Sequence, residues 1–246
     1  MKIAIFGDSI SEGIGKRKVN YSNALQAEMS EQFADIQIDN FAHTGTTIRY
    51  MGEQLKECDM DFDVAIIAYG NVDAMLRPNT NHTPNYYKYL PDRYKQNGML
   101  NPRPYYSPRW YKSIFQHIDS FIRWNLNKFL LKVQGVTTWV SLDEFTQLYS
   151  EYVDSLLAKN IFVVSLSTVQ VKNKYFPGTN NEYIKYNEAI SDICNSRNRC
   201  VYIDIYNEIV DNGFFYDDGF HPNEKGYQKI AEMISKILKQ RMKNGV

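Results

Sequence analysis

Short runs of β-branched and aromatic residues alternate with longer segments of helical spacing along this chain. The runs predict five strands, over residues 2–6, 36–41, 64–69, 161–166 and 200–205. Strands that are apolar on both faces are typical of a parallel sheet covered by helices on each side. We therefore predict an α/β fold, a three-layer αβα sandwich with a doubly wound five-stranded parallel sheet in flavodoxin-like order. In such folds ligands bind beyond the carboxyl ends of the strands.

The segments between the runs predict helices over residues 21–33, 181–195 and 223–242. A further helix is expected to begin after Ser141 and to run through residue 157. Ser141 is followed three residues later by Glu144, the pattern of a capping box. The last helix follows Pro222, and its apolar residues fall on one stripe that should face the sheet.

The size and charge of the chain restrict the class of protein. Its 246 residues can fill a single domain, 1–246. Lys plus Arg equals Asp plus Glu at 28 each, so the chain as a whole lacks the basic excess that nucleic acid or an anionic membrane attracts. The first apolar run is too short for a signal peptide or a membrane span. Three scattered cysteines, Cys58, Cys194 and Cys200, suggest reduced thiols. We expect a cytoplasmic protein.

Residues 76–111 interrupt the alternation after the third predicted strand. This segment contains six prolines, which is too many for a regular element. It is also rich in tyrosine and in basic residues, and it ends near Trp110. We predict an insertion that forms a lid or a substrate-binding segment, because long loops in compact domains are usually functional or mobile. Its aromatic residues would either pack as a lid or stack on a sugar ring.

Ser9 follows directly after the first predicted strand, in the run Gly7-Asp8-Ser9-Ile10. A hydroxyl at a strand-to-helix turn lies at the carboxyl edge of the sheet, beside backbone N–H groups without partners that can stabilise an oxyanion. Serine is also a favoured helix cap. Taken alone, the turn fits a nucleophile or a cap.

An acid and a histidine stand three residues apart near the other end of the chain, in Asp218-Gly219-Phe220-His221. A serine becomes a nucleophile when a histidine oriented by a carboxylate removes its proton. Asp218 and His221 have the spacing for that task. The alternative is a loop histidine whose hydrogen bonds are satisfied by its own backbone.

Together these motifs resemble the SGNH hydrolase superfamily, also called the GDSL-like lipases and esterases. The run around Ser9 is similar to its nucleophile block, and the run ending at His221 to its terminal block. Residues 40–47, Asn-Phe-Ala-His-Thr-Gly-Thr-Thr, are similar to the block whose glycine N–H lines the oxyanion hole, here Gly45. The resemblance implies a serine esterase with Ser9 as nucleophile, His221 as base, Asp218 as its orienting acid, and an acyl-enzyme. The N–H groups of Ser9 and Gly45 would hold the oxyanion.

The third block departs from the family pattern. The family has glycine, any residue, asparagine and aspartate, whereas this chain has Gly70-Asn71-Val72-Asp73. Valine cannot donate a hydrogen bond, and loss of one oxyanion donor costs about 10² to 10³ in rate. Asn71 is therefore a candidate replacement donor, and Arg77 is another. Asn71 would otherwise be a turn residue, and Arg77 a solvated charge.

A glycine-x-valine-aspartate run followed by arginine is also similar to SGNH-like proteins of bacterial surface-polysaccharide pathways. That resemblance implies an O-acetyl ester on a carbohydrate or a glycan precursor as substrate, with Arg77, Asp73 and Trp110 as substrate-binding candidates. Two alternatives stay open. One is an O-acyltransferase that uses the same triad, and the other is a catalytically impaired glycan-binding module. No cofactor is implied, and no metal is expected, because His43, His82 and His117 have no acid or cysteine at ligand spacing.

Overall fold

A five-stranded parallel sheet organises the computed structural model, which describes residues 1–14, 19–31, 33, 35–79, 88–94, 100–210 and 213–243. The sheet order is β2-β1-β3-β6-β7, and every neighbouring pair is parallel. The strands are β1 (Lys2–Gly7), β2 (Gln37–Asn40), β3 (Val64–Ala68), β6 (Phe162–Leu166) and β7 (Cys200–Ile203). They coincide with the five predicted strands, and the order is flavodoxin-like, so the predicted fold is confirmed.

Burial explains why the strands were readable from the sequence. Every residue of β3 and of β6 is buried, as are the last five residues of β1. Side chains on both faces of these strands pack into one continuous apolar core. The carboxyl ends of β1 and β3 lie side by side, with Gly7 in register with Ala68. Loops that follow these two strands therefore meet at the same edge of the sheet.

Eight α-helices accompany the strands in the described part of the chain. They are α1 (Ser9–Glu12), α2 (Tyr21–Ser30), α3 (Met51–Lys56), α4 (Trp110–Gln134), α5 (Leu142–Ala158), α6 (Thr179–Asn195), α7 (Ile205–Glu208) and α8 (Glu224–Lys243). The capping box is confirmed, because the Ser141 hydroxyl accepts a hydrogen bond from Glu144 N–H at the start of α5. The four predicted helices correspond to α2, α5, α6 and α8, with ends that differ by up to three residues.

Helix α4 was not predicted, and its absence from the sequence analysis has a local cause. It begins after Arg109, which provides no side-chain cap, and it follows directly on the proline-rich segment. At the start of that segment, Arg77–Pro78 forms a short strand, β4, antiparallel to β5 (Val136–Thr137) just after α4. The interruption therefore extends beyond residues 76–111 and includes the 25-residue helix α4, with β4 and β5 pairing at its two ends.

The cysteines are free thiols, as the sequence analysis expected. Cys194 and Cys200 are buried, with their sulfur atoms 3.0 Å apart. None of the described helices is both long enough and apolar enough to cross a membrane.

Candidate active site

The turn after β1 presents Ser9 at the carboxyl edge of the sheet. Asp8 caps α1, and its Oδ1 accepts a hydrogen bond from Ile10 N–H at 2.9 Å. A side chain on Gly7 could not fit, since a Cβ atom there would lie 2.8 Å from the Ala68 carbonyl oxygen. The tight turn therefore requires glycine before the acid, and it places Ser9 as the first residue of α1.

The loop before α8 brings a histidine to Ser9. Ser9 Oγ lies 3.0 Å from His221 Nε2, and His221 Nδ1 lies 2.6 Å from Asp218 Oδ2. The other carboxylate oxygen, Oδ1, accepts hydrogen bonds from the N–H groups of Phe220 (3.0 Å) and His221 (3.1 Å). Asp218 thus fixes both the loop backbone and the imidazole ring. The three side chains form the relay that a serine nucleophile requires.

Contacts with two neighbouring segments hold this loop in place. Lys172 N–H donates to the Gly219 carbonyl oxygen at 2.9 Å, and Asp217 N–H donates to the Pro104 carbonyl oxygen at 3.1 Å. Within the loop, Phe215 and Pro222 form an isolated antiparallel bridge. The orientation of His221 therefore depends on the insertion through Pro104 as well as on the sheet.

The turn that carries Gly45 is tied to the nucleophile turn. The N–H of His43 and the hydroxyl of Thr46 both donate to the Gly7 carbonyl oxygen, at 3.1 and 3.2 Å. Thr44 N–H donates to Glu12 Oε2 in α1. Gly45 itself has a φ of +79°, a conformation that favours glycine. These bonds fix the predicted oxyanion glycine next to the turn of Ser9.

Two buried carboxyl groups lie beneath the site. Burial raises the pKa of Asp8 to about 6, although the hydrogen bond from Ile10 N–H stabilises the ionised form. Burial likewise raises the pKa of Asp73 to about 7. Asp73 Oδ1 accepts from Ile48 N–H at 2.8 Å and Oδ2 from Gly70 N–H at 3.0 Å. Asp73 is fully buried and links the Gly70–Asp73 block to the segment that follows residues 40–47. Its expected contact with substrate stays a prediction.

The side chain of Asn71 is occupied within the core. Its Oδ1 accepts a hydrogen bond from Val169 N–H at 2.9 Å. Its carbonyl oxygen accepts from the Tyr183 hydroxyl at 2.7 Å. These contacts join the turn that follows β3 to the turn that follows β6 and to α6. The oxyanion role of Asn71 falls on its amide Nδ2 and stays a prediction.

Arg77 is a buried guanidinium, where the sequence allowed a solvated charge. It stacks on Trp139, with the guanidinium carbon 3.6 Å from the ring centroid. Nη2 lies 3.5 Å from the Val72 carbonyl oxygen, and Nε has no hydrogen-bond partner. Burial lowers the pKa of Arg77 to about 10. No carboxylate pairs with it among the described residues, so its charge lies next to the altered third block with spare donor capacity.

A pocket of about 410 Å³ opens beside Gly45 and extends to Trp139. Tyr50 and Arg49 also line it, and Arg49 forms a two-pronged ion pair with Glu144 at 2.6 Å for each bond. Trp139 was not predicted from the sequence. The only signal for it was an aromatic residue shortly before the α5 cap, and its position depends on how β5 pairs with β4.

Other predicted residues lie elsewhere. Trp110 is three-quarters exposed at the start of α4, and its described ring contact is with Tyr111. His43 Nε2 lies 3.2 Å from Glu57 Oε2 on the surface. His82 lies outside the described residues.

Solved structures of similar fold share little sequence with the chain. A lipase/acylhydrolase from Enterococcus faecalis is 13% identical with a TM-score of 0.63, over 98% of this chain and 96% of that chain. The acetylxylan esterase Axe2 from Geobacillus stearothermophilus is 13% identical with a TM-score of 0.62, over 96% and 92%. LAE5, an α/β hydrolase enzyme from the metagenome of Lake Arreo, is 14% identical with a TM-score of 0.59, over 95% and 92%. At these identities the likeness shows the fold alone.

Comparison of sequences assigns the family. No curated protein is significantly similar to the chain. The model of the GDSL-like lipase/acylhydrolase family, in contrast, matches residues 5–229, which include every block described above. The chain therefore belongs to the GDSL-like lipase/acylhydrolase family and is a carboxylic ester hydrolase.

Proposed function

We propose that the protein hydrolyses O-acetyl esters on a carbohydrate or a glycan precursor, with Ser9, His221 and Asp218 as its catalytic triad. The observation that carries this proposal is the continuous relay from Ser9 Oγ to His221 Nε2 (3.0 Å) and from His221 Nδ1 to Asp218 Oδ2 (2.6 Å). A relay with both hydrogen bonds in place speaks against a catalytically impaired binding module.

In the proposed reaction, His221 takes the Ser9 proton as Oγ attacks the carbonyl carbon of the ester. The resulting oxyanion accepts hydrogen bonds from the N–H groups of Ser9 and Gly45. Collapse of this intermediate breaks the bond to the alcohol, which leaves with the proton from His221, and the acyl group stays on Ser9. Water, deprotonated by His221, then releases the acid.

A further donor would make up for Val72. The proposal assigns this task first to Asn71, which lies in the same turn, and second to Arg77, whose guanidinium has an unused Nε–H. Arg77 is a stronger donor to a developing negative charge, because its hydrogen bonds are charge-assisted. Its stacking on Trp139 restricts its motion.

The preference for a carbohydrate ester rests on the pocket beside Gly45. Two aromatic side chains, Tyr50 and Trp139, line it together with Thr46 and Thr47. Aromatic faces cover the apolar side of sugar rings, and hydroxyl groups bond their polar edges. Axe2, of the same fold, is by its name an acetylxylan esterase, which supports a short acyl group on a sugar.

The decisive experiment is labelling with a serine-directed phosphonate, followed by intact-protein mass spectrometry, together with hydrolysis of p-nitrophenyl acetate. Ser9→Ala is expected to lose both labelling and turnover while keeping its thermal unfolding temperature. Ser11→Ala, in the same turn, is the matched control. Its hydroxyl bonds Tyr21 and not His221, so labelling should persist. Undiminished turnover in Ser9→Ala would remove the nucleophile assignment.

The same assay separates hydrolysis from acyl transfer. With one acetyl donor, free acetate and acetylated glycan acceptor are measured side by side. Acetate release that is unchanged by added acceptor supports the esterase. Acetate that falls as acetylated acceptor appears supports the transferase.

A further inference from the structure

The outward face of α4 is an unusually apolar surface. Three of its aromatic side chains, Phe115, Phe121 and Trp110, are 71%, 60% and 75% exposed. Ile114, Ile118 and Ile122 lie between them at helical spacing and are also exposed. We call these six residues the α4 apolar face. A contiguous exposed apolar stripe of this kind is typical of an interaction surface.

Helix α4 exposes more apolar surface than an ordinary surface helix does. Amphipathic helices turn their apolar stripe to the core and their polar stripe to water. In α4 the buried residues are Leu130 and Leu131 together with the polar Ser120, Asn127 and Gln134, whereas the α4 apolar face points outward. Packing against the described part of the chain therefore explains the leucines near the end of the helix but not the exposed phenylalanines and isoleucines.

The charges on α4 indicate what covers the face. The helix contains four basic residues and one acid, Asp119, which is already paired with Arg103 and Arg123. Lys112 and Lys132 are exposed. The chain as a whole has equal numbers of basic and acidic residues, which argued against an anionic membrane, but α4 by itself has an excess of basic residues. A helix with bulky apolar residues on one side and lysines beside them is typical of a segment that lies in the surface of an anionic bilayer.

A second copy of the chain fits the face less well. Two α4 helices would bring together two elements that each carry four basic residues and one acid, and that acid is already paired with Arg103 and Arg123. Phosphate groups of lipids carry the charge opposite to that of the helix.

The position of α4 connects the face with the active site. Trp124 of α4 packs against Tyr175, with ring centroids 5.7 Å apart. Tyr175 lies just beyond Lys172, whose N–H bonds the Gly219 carbonyl oxygen in the histidine loop. Pro104, shortly before α4, bonds the same loop through Asp217. The apolar face therefore belongs to the segment that supports the catalytic end of the molecule.

We propose that α4 binds the surface of anionic membranes, lying in the bilayer plane with its apolar face among the acyl chains and its lysines at the lipid phosphates. The protein would attach peripherally, and its catalytic edge would be held near the membrane. This binding does not depend on the proposed esterase activity.

Vesicle co-sedimentation tests the proposal with the full chain. Vesicles of phosphatidylcholine and phosphatidylglycerol should bind the protein, and phosphatidylcholine vesicles should bind it more weakly by roughly tenfold. Phe115→Glu with Phe121→Glu should reduce binding by roughly tenfold or more, because two charges would enter the acyl region. The matched control is Ile184→Glu, at an apolar residue of α6 that is also exposed, and it should bind as the unaltered protein does. Added salt should weaken binding.

Two results would overturn the proposal. One is the absence of binding to anionic vesicles, or binding that the double substitution leaves intact. The other comes from sedimentation velocity: a dimer that the double substitution converts to a monomer, with no vesicle binding, would assign the face to self-association. Circular dichroism of each variant checks that α4 stays folded.

Discussion

Replacing Asp218 with asparagine separates the two tasks of this carboxylate. Oδ1 accepts two backbone N–H groups, and Oδ2 accepts from His221 Nδ1. Asparagine keeps an oxygen for the backbone and turns its NH₂ group toward Nδ1. The ring must then carry its proton on Nε2, the atom 3.0 Å from Ser9 Oγ. In that tautomer His221 cannot accept the Ser9 proton.

The geometry sets the size of the effect. To act as a base, His221 must move its proton from Nε2 back to Nδ1. The Nδ1–H group then points at the NH₂ group of the asparagine in a buried site, and the lost hydrogen bond costs about 1–3 kcal/mol. Loss of the charge-assisted bond to the imidazolium costs about 1.5–3 kcal/mol more. The sum, about 2.5–6 kcal/mol, lowers kcat by about 10² to 10⁴, and about 10⁴ is the loss for this substitution in a well-studied triad.

The assay combines steady-state hydrolysis of p-nitrophenyl acetate between pH 6 and 9 with thermal unfolding. Asp218→Asn should keep its unfolding temperature within a few degrees, because the loop backbone keeps its acceptor. Asp217→Asn, at the exposed neighbouring acid, is the matched control and should stay fully active. A kcat for Asp218→Asn within about tenfold of the unaltered protein, with the fold intact, would refute the role given to this acid.

Two further predictions concern buried charges near the site. Burial raises the pKa of Asp73 from 3.8 to about 7, so between these pH values the folded protein keeps a proton that the unfolded chain has lost. The contribution of this group to the free energy of unfolding is therefore complete below about pH 4 and is lost as the pH rises to about 7. The free energy of unfolding relative to Asp73→Asn should therefore fall by up to about 4 kcal/mol over that window, measured by urea denaturation, and a constant difference would contradict this. Arg77→Met should leave stability unchanged or higher, since no described carboxylate pairs with the buried guanidinium and a thioether also packs on Trp139. It should lower kcat more than it changes KM, and unaltered kcat with clear destabilisation would make Arg77 a structural residue.

Burial and tight turns made most of the fold predictable. β3 and β6 are buried along their whole length, so their apolar runs stood out without any knowledge of their neighbours. Ser9 and His221 could also be predicted as a pair although they are far apart in the sequence, because the strand-to-helix turn and the Asp218 loop each have a local sequence pattern. The structure brings these side chains within hydrogen-bond distance.

Features set by packing between distant segments could not be predicted in the same way. Trp139 lines the same pocket as Gly45 because β5 pairs with β4 and the Trp139 N–H bonds the Asp73 carbonyl oxygen, and the two residues of each strand give no sequence pattern. The side chain of Asn71 is positioned by the N–H of Val169, which lies on another loop. Helix α4 has helical spacing, but most of its large apolar side chains are exposed, with Leu130 and Leu131 as the buried ones, and Arg109 gives no sign of its start.

Ser9 and His221 lie 212 positions apart in the sequence, which has a consequence for biogenesis. The hydroxyl is synthesised long before the imidazole, and closing so long a chain is entropically slow compared with local pairing. If these two residues act as proposed, a nascent or clipped polypeptide that has assembled β1 and β3 but lacks His221 has no means to attack an ester. Recovery of turnover during refolding should trail the appearance of secondary structure, and premature acyl transfer onto an unfinished molecule is avoided by the order of synthesis itself.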